Sequence, residues 1–148
     1  MTRPGNDPPV PGVRSMDHTA DIGIEVDAPD LPELFRRAAL GTLWMALERS
    51  LDEDASGSGE ARELTLEADD TATLLRAWLR EVLYWQEVEG YAVVAADVTE
   101  VSDGRFSARV RGVVAPPDPV REIKGVTWHG LEVGRAADGW RARVIFDV

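Results

Sequence analysis

The sequence predicts an α+β fold, a two-layer sandwich of two long helices on a mostly antiparallel or mixed sheet of about six to seven strands. Two segments repeat apolar residues at helical spacing, and most other segments alternate apolar and polar residues as strands do. The pairs Asp103-Gly104 and Asp138-Gly139 are typical of tight turns between antiparallel strands. With 148 residues and 44% hydrophobic content, the chain is large enough for one domain with a single core.

The chain starts with a proline-rich segment. Residues 1–12 carry four of the nine prolines, which predicts a flexible tail, and residues 13–148 are expected to form the single domain. From Val13 the chain looks extended, turns over 17–21, and then alternates as a half-buried strand from Ile22.

Both helices have identifiable ends. Asp30 is a predicted N-cap with Glu33 placed to complete a capping box, and the apolar stripe then runs to about Arg49. Asp69 or Asp70 is predicted to cap the second helix, which stops by residue 90. The core stripe of this second helix comprises Leu74, Leu75, Trp78, Leu79, Val82 and Leu83.

Strands are predicted over the remaining segments, at about 62–68, 91–101, 105–114, 125–134 and 139–147. A proline-rich loop at 116–119 separates the third of these strands from the fourth. Tryptophans at helical or inward strand positions are expected in the core.

The overall composition limits what the protein can do. Its formal charge is −11, from 27 acidic against 16 basic residues, and such a field repels phosphate backbones. We therefore expect no stable direct binding of nucleic acid. The absence of cysteine excludes disulfides and thiolate metal sites. Without a signal-peptide pattern or an apolar run of about 20 residues, we expect a cytoplasmic protein that does not span a membrane.

The most informative segment is residues 16–23, MDHTADIG. It places Asp17, His18 and Asp21 within five residues, directly before a predicted strand. Carboxylates and an imidazole in this arrangement suit metal binding or proton transfer. A turn in which Asp and Thr bond their own backbone is the commoner reason for such a pattern. Spacing alone leaves both interpretations open.

Two further candidates lie near the end of the chain. Lys124 is the only lysine beside 15 arginines, and lysine is a compact charge whose pKa is readily moved. In the last strand, Asp147 points away from the aromatic face and adjoins the C-terminal carboxylate of Val148. Two neighbouring carboxylates could chelate Ca²⁺ or Mg²⁺, whereas a frayed, solvated terminus is the commoner case.

Five motifs in order make the chain resemble the archease family over nearly its whole length after the tail. They are HTADIG at 18–23, LFRRAA at 34–39, LRAWLREVLY at 75–84, EIKGVTWH at 122–129 and VIFDV at 144–148. The resemblance implies a small acidic protein that activates the tRNA-splicing RNA ligase, which requires GTP and metal. The activator would promote guanylylation of the ligase's active-site histidine and multiple turnover, without being an enzyme itself.

The resemblance also implies particular site residues. A divalent cation, usually calcium with Mg²⁺ or Mn²⁺ as alternatives, would be held by Asp21, Asp147 and Val148. The family's functional lysine falls on Lys124, which would assist the partner's chemistry together with Asp21. Asp17 stands where relatives often carry Glu, and we expect it to support the site.

Two alternatives remain at this stage. A stand-alone metal-dependent hydrolase would use His18 or His129 as its base and the same carboxylates as ligands. A general chaperone or adaptor would protect unrelated proteins and would not need Asp21 or Lys124.

Overall fold

The computed structural model describes residues 8–17, 22–47, 60–114 and 121–148, and of Asp17 only the backbone. The predicted α+β class with two long helices is confirmed, and these ranges hold eight strands. The elements in chain order are β1 (Val13–Asp17), β2 (Ile22–Ala28), α1 (Leu31–Leu47), β3 (Ala61–Glu67), α2 (Thr71–Val88), β4 (Tyr91–Ser102), β5 (Arg105–Val114), β6 (Gly125–Val126), β7 (Glu132–Ala136) and β8 (Gly139–Asp147). The expected proline loop at 116–119 and the end of the first helix at Arg49 lie outside the described residues.

The strands form two antiparallel sheets, where the sequence suggested one. Sheet A has the order β1-β2-β8, and the far edge of β8 pairs with β7 in its first half and with β6 at its C-terminal end. Sheet B has the order β3-β5-β4. Helix α1 contacts β2 of sheet A and β4 of sheet B, while α2 packs on α1 and β4. The helices therefore join the two sheets around one core.

Both helices begin at predicted caps. The Asp30 carboxylate accepts from the Glu33 amide at 2.9 Å, and the Asp70 carboxylate accepts from the Thr73 amide at 2.7 Å. Each cap satisfies a donor that the first turn of a helix leaves without a partner. The reciprocal half of the expected capping box is absent from the interactions of Glu33, whose carboxylate binds Arg36 and Arg37 instead.

Aromatic side chains fasten the helices to sheet B. The indole N–H of Trp78 on α2 donates to the Phe35 carbonyl of α1 at 2.9 Å. The Phe106 ring of β5 lies 4.8 Å from the Trp78 ring and 5.5 Å from the Phe35 ring, measured between centroids. All three residues are fully buried. Burial of such large rings is the main stabilising contribution here, and the indole loses no hydrogen bond on burial.

The predicted strand at 125–134 is wrong in its middle. Pairing with β8 ends at Val126, and the chain turns through Gly130 at a φ of +74° before β7 begins at Glu132. Trp128, which strand alternation would place inward, is 59% exposed in this turn. The expectation of buried tryptophans holds for Trp44 and Trp78 on the helices. Trp85, which helical spacing predicts to end the core stripe of α2 near the surface, is buried as well, so that expectation is wrong.

Both predicted hairpin turns are present, and the second lies one residue earlier than predicted. Asp103 and Gly104 form the turn between β4 and β5, with φ values of 46° and 77°. In the second hairpin Gly139 pairs with Ala136, so the two turn residues are Ala137 and Asp138. The turn therefore sits one residue earlier than the Asp-Gly signal indicates.

We predict that acid weakens the protein partly through Glu33. Its hydrogen bonds to Arg36, and then to Arg37, hold the pKa of the Glu33 carboxyl below its ordinary value. A depressed pKa contributes stability above the unfolded-state pKa of about 4.3, and this contribution is lost as the pH falls through the folded-state pKa. Glu33→Gln should lower the free energy of unfolding at pH 7 by up to about 1 kcal/mol and should have a smaller effect near pH 3.

Urea unfolding at several pH values measures this difference. Glu63→Gln, an exposed change on β3, serves as the control and should leave the pH dependence unchanged. An equal loss for Glu33→Gln at both pH values would contradict the assignment.

Candidate functional site

The C-terminal end of β8 lies between two other segments of sheet A. Phe146 pairs with Ile22, the first residue of β2, on one side and with Val126 of β6 on the other. The side chains of Phe146 and Val126 are buried, so they anchor β8 and β6 to the core. The start of β2, the end of β8 and the short strand β6 therefore meet at one edge of the sheet.

Lys124 is held beside the C-terminus by its main chain. Its amide donates to the Asp147 carbonyl at 2.6 Å, and the Thr127 amide donates to the Ile145 carbonyl at 3.0 Å. Ile123, the residue before Lys124, is 1% exposed and anchors the segment in the core. Lys124, Asp147 and Val148 are all exposed. The only lysine and the two C-terminal residues thus lie together at the surface.

For the predicted site residues that precede β2, the structure describes only the backbone on either side. His18 and Asp21 lie outside the described residues, and the side chain of Asp17 is likewise outside them. The flanking backbone is well placed, because Asp17 pairs with Ile22 and Ile22 pairs with Phe146. The roles assigned to Asp17, His18 and Asp21 stay predictions.

The donor chemistry of this edge suits a hard divalent cation. Asp147 presents an exposed carboxylate here, and carboxylate oxygens are ligands that Ca²⁺ and Mg²⁺ prefer over nitrogen or sulfur. Within the described ranges, no group of three or more His, Asp or Glu side chains is close enough to hold a metal. The described residues therefore bring no complete metal site together, and the assignment of Asp21, Asp147 and Val148 as metal ligands stays a prediction.

His129 lies in the turn that follows β6. Its carbonyl accepts from the Thr127 hydroxyl at 2.8 Å, and its side chain is exposed. This position is two residues beyond the paired part of β6, and the structure gives His129 no contact with Asp147. Its use as a catalytic base stays an untested alternative.

Sequence reasoning missed the contact between Arg76 and Trp128. The guanidinium carbon of Arg76 lies 4.2 Å from the centre of the Trp128 ring, and its Nε donates to the Val126 carbonyl at 2.7 Å. Burial, and secondarily the nearby charge of Arg80, lower the pKa of Arg76. Helical periodicity places Arg76 outside the core stripe, but no signal in the sequence indicates a contact with Trp128, which lies 52 positions later.

The outer face of sheet A carries charges of alternating sign. Arg14 of β1 binds Glu25 at 2.6 Å and Asp27 at 2.9 Å, and Arg141 of β8 binds Asp27 at 2.6 Å. The bond from Arg141, and then that from Arg14, lower the pKa of Asp27. Because these groups are partly exposed, the pairs set strand register more than they add stability.

Membrane insertion finds no support in the helices. Neither α1 nor α2, the two helices within the described ranges, is long and apolar enough to cross a bilayer.

One family model and several related sequences match nearly the whole chain. The model of the archease protein family matches residues 14–148. Protein archease of Archaeoglobus fulgidus is 35% identical over 140 residues, covering 91% of this chain and 98% of that protein. Protein archease of Methanosarcina barkeri is 32% identical over 140 residues, covering 90% and 93% respectively.

Solved structures agree in fold. The solution structure of Methanobacterium thermoautotrophicum protein 1598 matches with a TM-score of 0.66 at 24% identity, over 93% of this chain and 99% of that one. The crystal structure of a Thermotoga maritima archease, described there as a possible chaperone, matches with a TM-score of 0.61 at 21% identity, over 91% and 96%.

We predict that Gly23→Ala disturbs the strand pairing beneath the site. A Cβ at Gly23 would collide with the Val144 carbonyl oxygen and would lie 3.1 Å from both the Ile145 and Met16 side-chain ends. Since two of these atoms belong to β8, relief requires β2 and β8 to move apart. We expect a loss of about 1–3 kcal/mol in the free energy of unfolding, measured with urea.

Gly134→Ala is the matched control on β7. A Cβ there meets nothing within 4 Å, so this variant should be as stable as the wild type or slightly more stable. Equal stabilities for the two variants would show that β2 and β8 are not closely packed at Gly23.

Proposed function

Since this chain belongs to the archease family, we propose that it is a protein activator of the tRNA-splicing RNA ligase. In this role it promotes guanylylation of the ligase's active-site histidine and allows the ligase to turn over repeatedly. The activator is not itself an enzyme. The observation that carries the proposal is the bond from the Lys124 amide to the Asp147 carbonyl. This bond fixes the only lysine of the chain beside its terminal carboxylates.

Lys124 supplies the positive charge of the proposed site. Its exposed side chain can reach a partner because the segment is attached through buried Ile123 and through the main-chain amide of Lys124, and neither attachment uses the Lys124 side chain. An ammonium group placed against a phosphate offsets the negative charge that develops in phosphoryl or nucleotidyl transfer. We assign Lys124 to the phosphates of GTP or of the guanylyl group during that transfer.

Carboxylates supply the negative half of the site. We assign Asp21, Asp147 and the Val148 terminus as ligands of a divalent cation, with calcium first and Mg²⁺ or Mn²⁺ as alternatives. The register supports this assignment, because Ile22, which follows Asp21 in the chain, pairs with Phe146, which precedes Asp147. When bound, such a cation would neutralise the carboxylates and present positive charge to the ligase.

The net charge of −11 suits this partner. A ligase that handles RNA needs a basic surface for the phosphate backbone. An acidic protein of small size is attracted to such a surface and gains in association rate. The cytoplasm is the compartment that we propose for the complex.

We predict that ligation turnover depends on both ends of the site. Lys124→Arg keeps the charge but not the shape of the ammonium group, and a short extension after Val148 removes the terminal carboxylate. Each change, like Asp21→Ala and Asp147→Asn, should reduce stimulation of the cognate ligase at least tenfold. The measurement is the number of RNA joints formed per ligase in excess GTP.

Asp138→Asn is the matched control for Asp147→Asn. Asp138 is an exposed carboxylate directly before β8, about 30 Å from Asp147 along the strand. It should leave stimulation unchanged. Full stimulation by both Lys124→Arg and the extended protein would contradict the site.

The same preparations distinguish the alternatives. Hydrolysis of GTP or a phosphoester by the isolated chain would favour a stand-alone hydrolase. Protection of unrelated unfolded proteins that persists in Asp21→Ala and Lys124→Ala would favour a chaperone.

A further inference from the structure

One exposed face of α2 combines arginine with large apolar side chains. Its members are Arg76, Arg80, Tyr84 and Val88, spaced four residues apart, together with Trp128 stacked on Arg76. We call this surface the α2 stripe. Residues at this spacing are neighbours along a helix, and the four span about 18 Å. Tyr84 is 50%, Val88 64% and Trp128 59% exposed, which is unusual for such large side chains.

The Trp128 end of the stripe is held in place before any partner arrives. Arg76 donates to the Val126 carbonyl and lies over the indole ring, so the ring is supported on one face. Tryptophan and arginine dominate the binding energy of protein interfaces, and an ordered side chain loses less entropy on binding. This contact therefore has the composition and order of an interface anchor.

The stripe also carries positive charge that the rest of the described residues do not neutralise. Arg14, Arg62 and Arg141 each form ion pairs with carboxylates. Neither Arg76 nor Arg80 has a carboxylate partner within the described ranges, and the charge of Arg80 lowers the pKa of Arg76. In a chain of net charge −11, this pair of like charges is a local exception that an anionic partner would relieve.

The C-terminal boundary of the stripe is acidic. Glu87, the residue before Val88, lies at the surface, and the partial desolvation of its carboxyl, followed by the charge of Glu122, raises its pKa. The stripe thus runs from a basic, aromatic end to an apolar end bordered by carboxylates. Such asymmetry makes the two directions in which a partner could lie along the helix chemically different.

We propose that the α2 stripe docks an acidic surface of the partner ligase that also has an apolar pocket for Trp128. The inference rests on the proposed function and adds a contact separate from the site at Lys124. A protein partner is favoured over single-stranded RNA because Tyr84 and Val88 extend the surface with apolar contacts, and because the net charge of the chain opposes phosphate backbones. Arg76 and Arg80 would pair with partner carboxylates.

The test measures affinity separately from activation. Trp128→Ala and Arg80→Glu should each raise the Kd for the ligase about tenfold or more, determined by calorimetry. At saturating concentration, both variants should still give the full wild-type number of turnovers. Arg109→Glu on sheet B changes the net charge equally, and Val114→Ala removes an exposed apolar side chain elsewhere. Both controls should bind as the wild type does.

Distinct outcomes separate the two proposals. If the wild-type protein stimulates the ligase, but Trp128→Ala and Arg80→Glu bind the ligase with wild-type affinity, the docking surface is overturned and the proposed function stands. Absence of binding and stimulation by the wild type overturns both. Binding of fluorescent single-stranded RNA that is lost in Arg80→Glu, with ligase affinity intact, overturns the protein partner in favour of RNA.

Discussion

The pairing of β8 with β2 on one edge and with β6 and β7 on the other is the interaction on which the rest of the structure depends. A terminal strand at a sheet edge frays easily. Here the last strand occupies the middle of sheet A, and its inward residues Ala142, Val144 and Phe146 are fully buried. The last strand is consequently anchored up to Phe146, and the side chains of Asp147 and Val148 beyond it are exposed.

This central strand brings together residues that are distant in sequence. Lys124 reaches the end of β8 because β6 pairs with it for only two residues and because Ile123 is buried directly before. The Arg76 contact uses the same short strand, since it accepts at Val126. The proposed chemical site and the proposed docking surface are thus attached to opposite ends of one four-residue segment, 123–126.

Charge is distributed in a way that net composition conceals. On sheet A, arginines and carboxylates neutralise one another across β1, β2 and β8. On the exposed face of α2, Arg76 and Arg80 have no such partners among the described residues. The overall charge of −11 therefore favours long-range attraction to a basic partner. Local recognition depends instead on individual arginines, such as Arg76 and Arg80, that have no carboxylate partner among the described residues.

Elements with strong periodicity could be predicted from the sequence. The caps at Asp30 and at Asp70, the latter one of two neighbouring aspartates that the sequence allows, and the turn at Asp103-Gly104 follow from local chemistry and are confirmed. The division into two sheets was missed because strand alternation shows that a strand exists but not which strand it pairs with. Trp128 was misplaced because nothing local shows that β6 ends after two residues.

The candidate site could be predicted from the sequence only in part, because residue types are local information and strand pairing is not. Asp147 and Lys124 could be identified by residue type and by family resemblance, but their proximity depends on long-range pairing. That pairing appears only in the fold, as the bond between the Lys124 amide and the Asp147 carbonyl.

A calcium titration followed by amide chemical shifts tests most directly whether Lys124 and the C-terminus form one site. We expect saturable shifts of the Lys124, Asp147 and Ile22 amides with a common Kd, and loss of those shifts in a protein extended beyond Val148. Shifts that are absent from these three amides, or that persist unchanged in the extended protein, would contradict a single shared site.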